Sequence, residues 1–241
     1  MCPNLGRGKR RGVLSRSQHV RQALTWDGQN RLRIVIMHLN HLVIDDFFPN
    51  PHDVRKMALG LEYPPRPEKA QYPGRNATKA LSFPGLEQLI CNIVQEPLVP
   101  VTKRASYGVP RIALEGDYAR NGVHIDPTHW SAIIYLTLPE HCQGGTHFLR
   151  HKATGWDRAP VFPGGAEAKG FTSCAAATDQ IFNEDGHNPD AWETTMIVPM
   201  RFNRMVLLRG YLWHDAGVSF GRTLEEGRLI LPYFFERSDM L

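Results

Sequence analysis

The stretch GVHIDPTHWSAIIYLTL, residues 122–138, closes on an apolar run that reads as a buried strand, yet it opens with a histidine and an aspartate two positions apart. Residues i and i+2 of a strand lie on one face. His124 and Asp126 therefore point the same way, toward whatever Ile133, Tyr135 and their neighbours cover. Ionisable groups aimed inward need a partner, a metal or a chemical role. Taken alone, His124 reads as a satisfied core histidine and Asp126 as a turn cap ahead of Pro127. A third residue decides between these readings.

Downstream from this stretch, short β-rich segments recur at 131–138, 145–150, 195–198, 204–209 and 228–235, and upstream at 111–115 and 122–125. Turn residues separate them, as in a sandwich or barrel. Further upstream, residues 32–36 and 42–44 read as strands and DDFFPNP as a turn. A helix over 51–61 is opened by Asn50 or Pro51. YPGRNATKALS is a polar loop, and FPGLEQLICNIVQEPL carries Leu86, Leu89, Ile90, Ile93 and Val94 at helical spacing. Residues 151–192, rich in Gly, Pro and Asp, break the β rhythm as an irregular insert, either a lid over a site or a solvent loop. The expectation is a single domain over 37–241, helices first and β core after, behind a basic, flexible extension over 1–36. Met37 is an alternative start.

The deciding residue lies in NRMVLLRGYLWHDAGVSFG, where His214 follows an apolar strand. Two imidazoles and one carboxylate on neighbouring strands make the face that holds Fe(II) while leaving positions open for a co-substrate and dioxygen. EEGRLILPYFF then places Arg228 at the head of a strand that would otherwise bury it. A buried guanidinium implies an anion beside it, and its rigid fork matches a carboxylate. The local alternative is an ion pair with Glu225 or Glu226; Arg222 is a second candidate for the anion. His141, Cys142, His147 and His151 also cluster in sequence, but across a Gly-Gly turn and without the pair spacing of a zinc site.

Composition narrows the partners. Apolar residues make up 42% of the 241 and charged residues 22%, ordinary for a globular protein with a core. The formal charge of +4 is concentrated at the start: six basic residues and no acid lie within residues 1–21, and the remainder carries two more acids than bases. The body thus lacks the basic footprint of a nucleic-acid binder. No apolar run approaches the ~20 residues that span a bilayer, and the basic start lacks the apolar stretch of a secretion signal. Cys2, Cys91, Cys142 and Cys174 are scattered, which points to a reducing, cytoplasmic setting.

The order of motifs resembles Fe(II)/2-oxoglutarate-dependent dioxygenases of the prolyl-4-hydroxylase-like branch. That pattern is HID, AIIYLT, GGTHF, WH and GRLILPYFF, entered through DDFFPNP. YPGRNA, FNRMVLLRGYLWH and GRLILPYFF look in more detail like a bacterial subfamily of such enzymes. The resemblance spans roughly residues 37–237. It implies a mainly β fold, a double-stranded β-helix (jelly-roll, cupin-like) with flanking N-terminal helices. It implies His124, Asp126 and His214 as iron ligands and Arg228 as the partner of the distal carboxylate of 2-oxoglutarate. Tyr135 and Thr146 match positions that help hold the co-substrate. GGTHF is one residue shorter than the family's Gly-Gly-x-Thr-x-Phe, and the stretch from His214 to Arg228 is longer, which keeps Arg222 open. The implied reaction is hydroxylation of a C–H bond with dioxygen, 2-oxoglutarate leaving as succinate and CO2. Desaturation and cyclisation use the same ligands. The expected substrate is a small molecule, amino acid or peptide, met by Trp130, His129, Trp156, Trp192, Trp213 or the insert. The alternative is a cupin-like metal- or ligand-binding barrel without 2-oxoglutarate turnover.

Overall fold

The computed structural model describes residues 21–26, 32–37, 39–66, 70–103, 105–118, 122–161 and 164–240. The chain separates into two compact units, Met1–His38 and Leu39–Leu241. In the first, β1 (Arg21–Trp26) pairs antiparallel with β2 (Leu32–Met37). The strand expected over 32–36 is present, and its partner was not anticipated. The basic run ahead of β1 lies outside the described residues.

The second unit begins with β3 (His41–Ile44), α1 (Pro51–Leu59), β4 (Arg75–Asn76) and α2 (Leu86–Val94). β5 (Leu98–Pro100), β6 (Arg111–Ala113), β7 (Trp130–Tyr135) and β8 (Gly145–His151) follow. The chain ends with α3 (Cys174–Asp185), β9 (Trp192–Pro199), β10 (Met205–Arg209), β11 (His214–Asp215) and β12 (Arg228–Arg237). One sheet runs β3-β10-β7-β12-β6-β4, with β5 also on β12, and a smaller one runs β11-β8-β9. All pairings are antiparallel. The fold is mainly β, of the sandwich, jelly-roll-like kind.

Strand alternation builds its layers. Trp130, Ala132 and Ile134 of β7 join Leu229, Leu231, Tyr233 and Phe235 of β12 in one core, which α1 and α2 cover with Val54, Ala58, Leu86, Ile90 and Val94. The opposite face of the large sheet supplies Tyr135, Val206, Leu208 and Ile230, packed on Phe148 of β8 and Val198 of β9. The apolar period of α2 is what directs Leu86, Ile90 and Val94 at the sheet.

Two expectations change here. The segment read as an irregular insert carries a twelve-residue helix, α3, whose N-cap Ser173 accepts from the backbone N–H of Ala176. Its Ile181 packs with Val123, Trp192 and Trp213, so the insert is a buttress behind the segment that holds His124. Its weak apolar period hid it, because only Ala177 and Ile181 are buried. Residues 122–125 form no full strand; they make a single bridge, His124 to His214.

Candidate metal centre

Backbone pairing brings the three ligand candidates together. His124 N–H donates to His214 O and His214 N–H to His124 O, both at 2.9 Å. Asp126 N–H donates to Gly210 O at 2.8 Å. Gly210 permits that approach: a Cβ there would stand 2.0 Å from the Thr128 carbonyl oxygen and 2.5 Å from that of Asp126. Gly122 is similarly confined, its Cβ position lying 2.0 Å from Gly186 O at the end of α3. The bend at 127–129 resets the strand period, so that Ser131, Ile133 and Tyr135 follow His124 and Asp126 onto the inner face.

His124, Asp126 and His214 are all buried, and one ligand atom from each lies within 4.8 Å of the others. Among the described residues they are the one such group of three or more His, Cys, Asp or Glu. His124 Nε2 is 3.9 Å from Asp126 Oδ1 and His214 Nε2 3.6 Å from Oδ2. Each imidazole spends Nδ1 on a backbone carbonyl two residues earlier, Gly122 O and Leu212 O, at 2.8 Å. That hydrogen bond turns Nδ1–H to the carbonyl and leaves Nε2 facing the centre, where on losing any proton it offers its lone pair to a metal. Ser131 Oγ donates to Asp126 Oδ2 at 2.6 Å. Burial and the neighbouring His214 pull His124 down to about 4, so it is neutral near pH 7, the form that binds a metal. Burial opposes the charged form of Asp126, but His214, His124 and Ser131 outweigh it and hold the carboxyl well below its usual range. The same pairing with Asp126 raises His214 against its burial.

The triad opens on a cavity of about 540 Å³ that Thr146 and Arg228 also line. Arg228 is 3% exposed, and its Nε has no hydrogen-bond partner among the described residues. Burial lowers its proton affinity, with Tyr135 and Asp215 acting the other way. The ion pair with Glu225 or Glu226 is not formed: the carbonyl of Glu225 serves Arg55, and the carboxylate of Glu226 accepts from Arg222 N–H. Arg222 itself is exposed beside Glu115, 3.6 Å away, and lies off the cavity wall. Tyr135 sits behind Thr146, hydroxyl to hydroxyl at 2.6 Å.

The substrate-facing expectations move. Trp130, Trp192 and Trp213 are core residues, and the cavity takes no wall from the insert. Pro64, Tyr72 and Asn76 line it as well, the last two from the loop read as merely polar. Sequence reading also passed over Arg111, on the cavity wall. It leads the apolar β6 as Arg228 leads β12, so the same signal was there to find. His141, Cys142, His147 and His151 do not gather; Cys142 Sγ donates to Thr137 O, His147 pairs with Asp215 and His151 with Asp185.

The model of a family of unknown function, DUF6445, matches residues 118–235. Among solved structures, the chain is similar to HygX from Streptomyces hygroscopicus with nickel and 2-oxoglutarate bound. The TM-score is 0.46 and the identity 13%, covering 83% of each chain. The same protein with iron bound gives a TM-score of 0.40 and 14% identity, covering 83% of this chain and 82% of that one. No curated protein matches the sequence.

Proposed function

We propose that the chain is a non-haem Fe(II)- and 2-oxoglutarate-dependent oxygenase that hydroxylates an unactivated C–H bond of a small molecule, amino acid or peptide. The two sheets are then the sides of a double-stranded β-helix. One observation carries the reading: two buried Nε2 atoms and a carboxylate converge on a cavity that is also lined by a buried guanidinium with no partner for its Nε among the described residues. Two neutral donors and one carboxylate fit a divalent ion and leave coordination positions vacant. Iron(II), with 2-oxoglutarate and dioxygen, supplies oxidation of a C–H bond to the alcohol, the co-substrate leaving as succinate and CO2.

The chain's own residues do the rest. His124, Asp126 and His214 hold the ion, with the Gly122 and Leu212 carbonyls fixing the imidazole tautomers and Ser131 orienting the carboxylate. Arg228 takes the far carboxylate of the co-substrate as a bidentate partner, beside the Thr146 and Tyr135 hydroxyls. Ile133, Ile230 and Pro232 wall the cavity with apolar surface that excludes water. No helix of the described residues is long and apolar enough to cross a membrane. With a near-neutral body and free Cys91, Cys142 and Cys174, a cytoplasmic enzyme without a nucleic-acid partner completes the reading.

The test is spectroscopic. Protein loaded anaerobically with Fe(II) is expected to give a weak visible charge-transfer band when 2-oxoglutarate is added. A folded, iron-loaded protein without that band overturns the oxygenase reading and leaves a cupin-like metal-binding barrel.

A further inference from the structure

Arg111 is a second arginine of the cavity, and the chemistry above does not use it. It follows Pro110 at the head of β6, paired with Ile230, while Arg228 pairs with Ala113 on the same two strands. Arg111 and Arg228 are therefore diagonal neighbours on one face, about 7 Å apart at that spacing. Arg111 is held in place on two sides. Its Nε donates to Asn76 Oδ1 at 2.7 Å, and its guanidinium lies over the Tyr72 ring, 4.8 Å from the centroid. Tyr72 in turn packs edge-on against the ring of His124, centroids 5.2 Å apart. The fork is thus oriented on the wall of the cavity that His124, Asp126 and His214 also line. Among the described residues no carboxylate forms an ion pair with it and its outer nitrogens have no hydrogen-bond partner. Burial, relieved by Tyr72 and by the more distant Asp126 carboxylate but worsened by Arg228, pulls Arg111 down to about 10. Two cations on one half-enclosed face call for two anions, and 2-oxoglutarate anchored on Arg228 supplies its distal carboxylate to only one of them.

We propose that Arg111, set by Asn76 and Tyr72, is the anion seat for the substrate. The cavity takes a small carboxylic acid with an apolar body, its carboxylate on Arg111 and its carbon chain along Ile133, Pro232 and Phe234. This assigns a substrate class to the oxygenase site and rests on that reading. The volume suits it: pockets of ~300–1,000 Å³ hold drug-sized ligands, so about 540 Å³ exceeds the needs of a five-carbon diacid alone. A single planar fork matches a carboxylate with two parallel hydrogen bonds. A phosphate would call for further donors, and Asn76 Nδ2 is already turned to Ser106 Oγ at 3.4 Å.

Calorimetry on the full chain loaded with redox-inert Zn(II) tests this. The titrants are 2-oxoglutarate, phenyl phosphate, and a set of carboxylates with their primary amides: benzoate, hydrocinnamate, octanoate and the apolar L-amino acids. At least one carboxylate is expected to bind the wild type roughly tenfold or more tighter than its amide, the worth of a charge-assisted bidentate contact. Arg111→Met should erase that preference and leave 2-oxoglutarate affinity unchanged, which also shows that the variant folds. Arg228→Met should do the reverse. The proposal is overturned if no carboxylate binds, if amides bind equally well, or if phenyl phosphate outcompetes benzoate. It is also overturned if Arg111→Met weakens 2-oxoglutarate in place of the carboxylate. A wild type that takes the carboxylates but not 2-oxoglutarate instead refutes the oxygenase reading and leaves the anion seat standing.

Discussion

Asp126 shows how much a site depends on residues that never touch the ligand. Its carboxylate lies between two imidazoles and accepts from the Ser131 hydroxyl at 2.6 Å. Thr128 Oγ1 stands 3.0 Å from that hydroxyl and extends the chain of hydrogen bonds. Removing a group that orients a metal-binding carboxylate costs ~10–100-fold in metal affinity. Ser131→Ala is therefore expected to weaken Fe(II) binding by about that factor while the thermal midpoint stays near the wild type. Equal affinity in a direct metal titration would show that Asp126 needs no such support. Arg228 separates metal from co-substrate. In Arg228→Ala the ion should still bind, and 2-oxoglutarate should bind at least about tenfold more weakly, read from the visible band at increasing concentrations. If Arg222→Ala gives that phenotype instead, the anchor is misassigned.

At the scale of elements, the triad is a product of close backbone approach. The turn after β10 runs so near the segment carrying Asp126 that Gly210 has no room for a side chain. Gly210→Ala must displace the Thr128 or Asp126 carbonyl, both backbone atoms, and so should lower the thermal midpoint and the metal affinity together. A variant with wild-type stability and affinity would mean the turn can move without disturbing Asp126. Element types were largely legible beforehand, because β7, β10 and β12 are apolar runs bounded by turns and α2 repeats its apolar residues with helical period. The same holds for His124, Asp126, His214 and Arg228, polar residues standing where the pattern demands apolar ones. The illegible parts share a cause. α3 buries too few apolar side chains to announce itself, and the loop around Tyr72 reaches the cavity through the pairing of β4 with β6.

For the whole molecule, the far side of the large sheet carries its own polar fastening. Glu96, just beyond α2, hydrogen-bonds His129 at 2.6 Å and Arg209 at 3.1 Å, while Arg209 lies over the Trp130 ring, 4.1 Å from its centroid. This network ties the helical layer to β7 and β10. Burial disfavours the Glu96 carboxylate, but His129 and Arg209 outweigh it and bring its pKa from 4.5 down to about 2. A carboxyl depressed on folding stabilises the native state fully above its unfolded value and ceases to do so as pH falls through the folded one. Stability is expected to decline between about pH 4.5 and 2 for this reason. Glu96→Gln should be less stable at neutral pH and lose part of that acid-limb slope, measured by denaturant unfolding across the interval. An unchanged slope would assign the acid sensitivity to other groups.

Sequence by itself determined the class of this fold: mainly β strands with two helices among the first of them, and four polar residues placed against the apolar grain. Those features follow from local period and burial, which a linear pattern records. Tertiary structure alone decided that His124 and His214 pair directly, that the insert braces the site, and that Arg111 faces the same cavity as Arg228. Each of these depends on which distant strands become neighbours. That choice rests on the packing of whole faces and leaves no periodic trace in the chain.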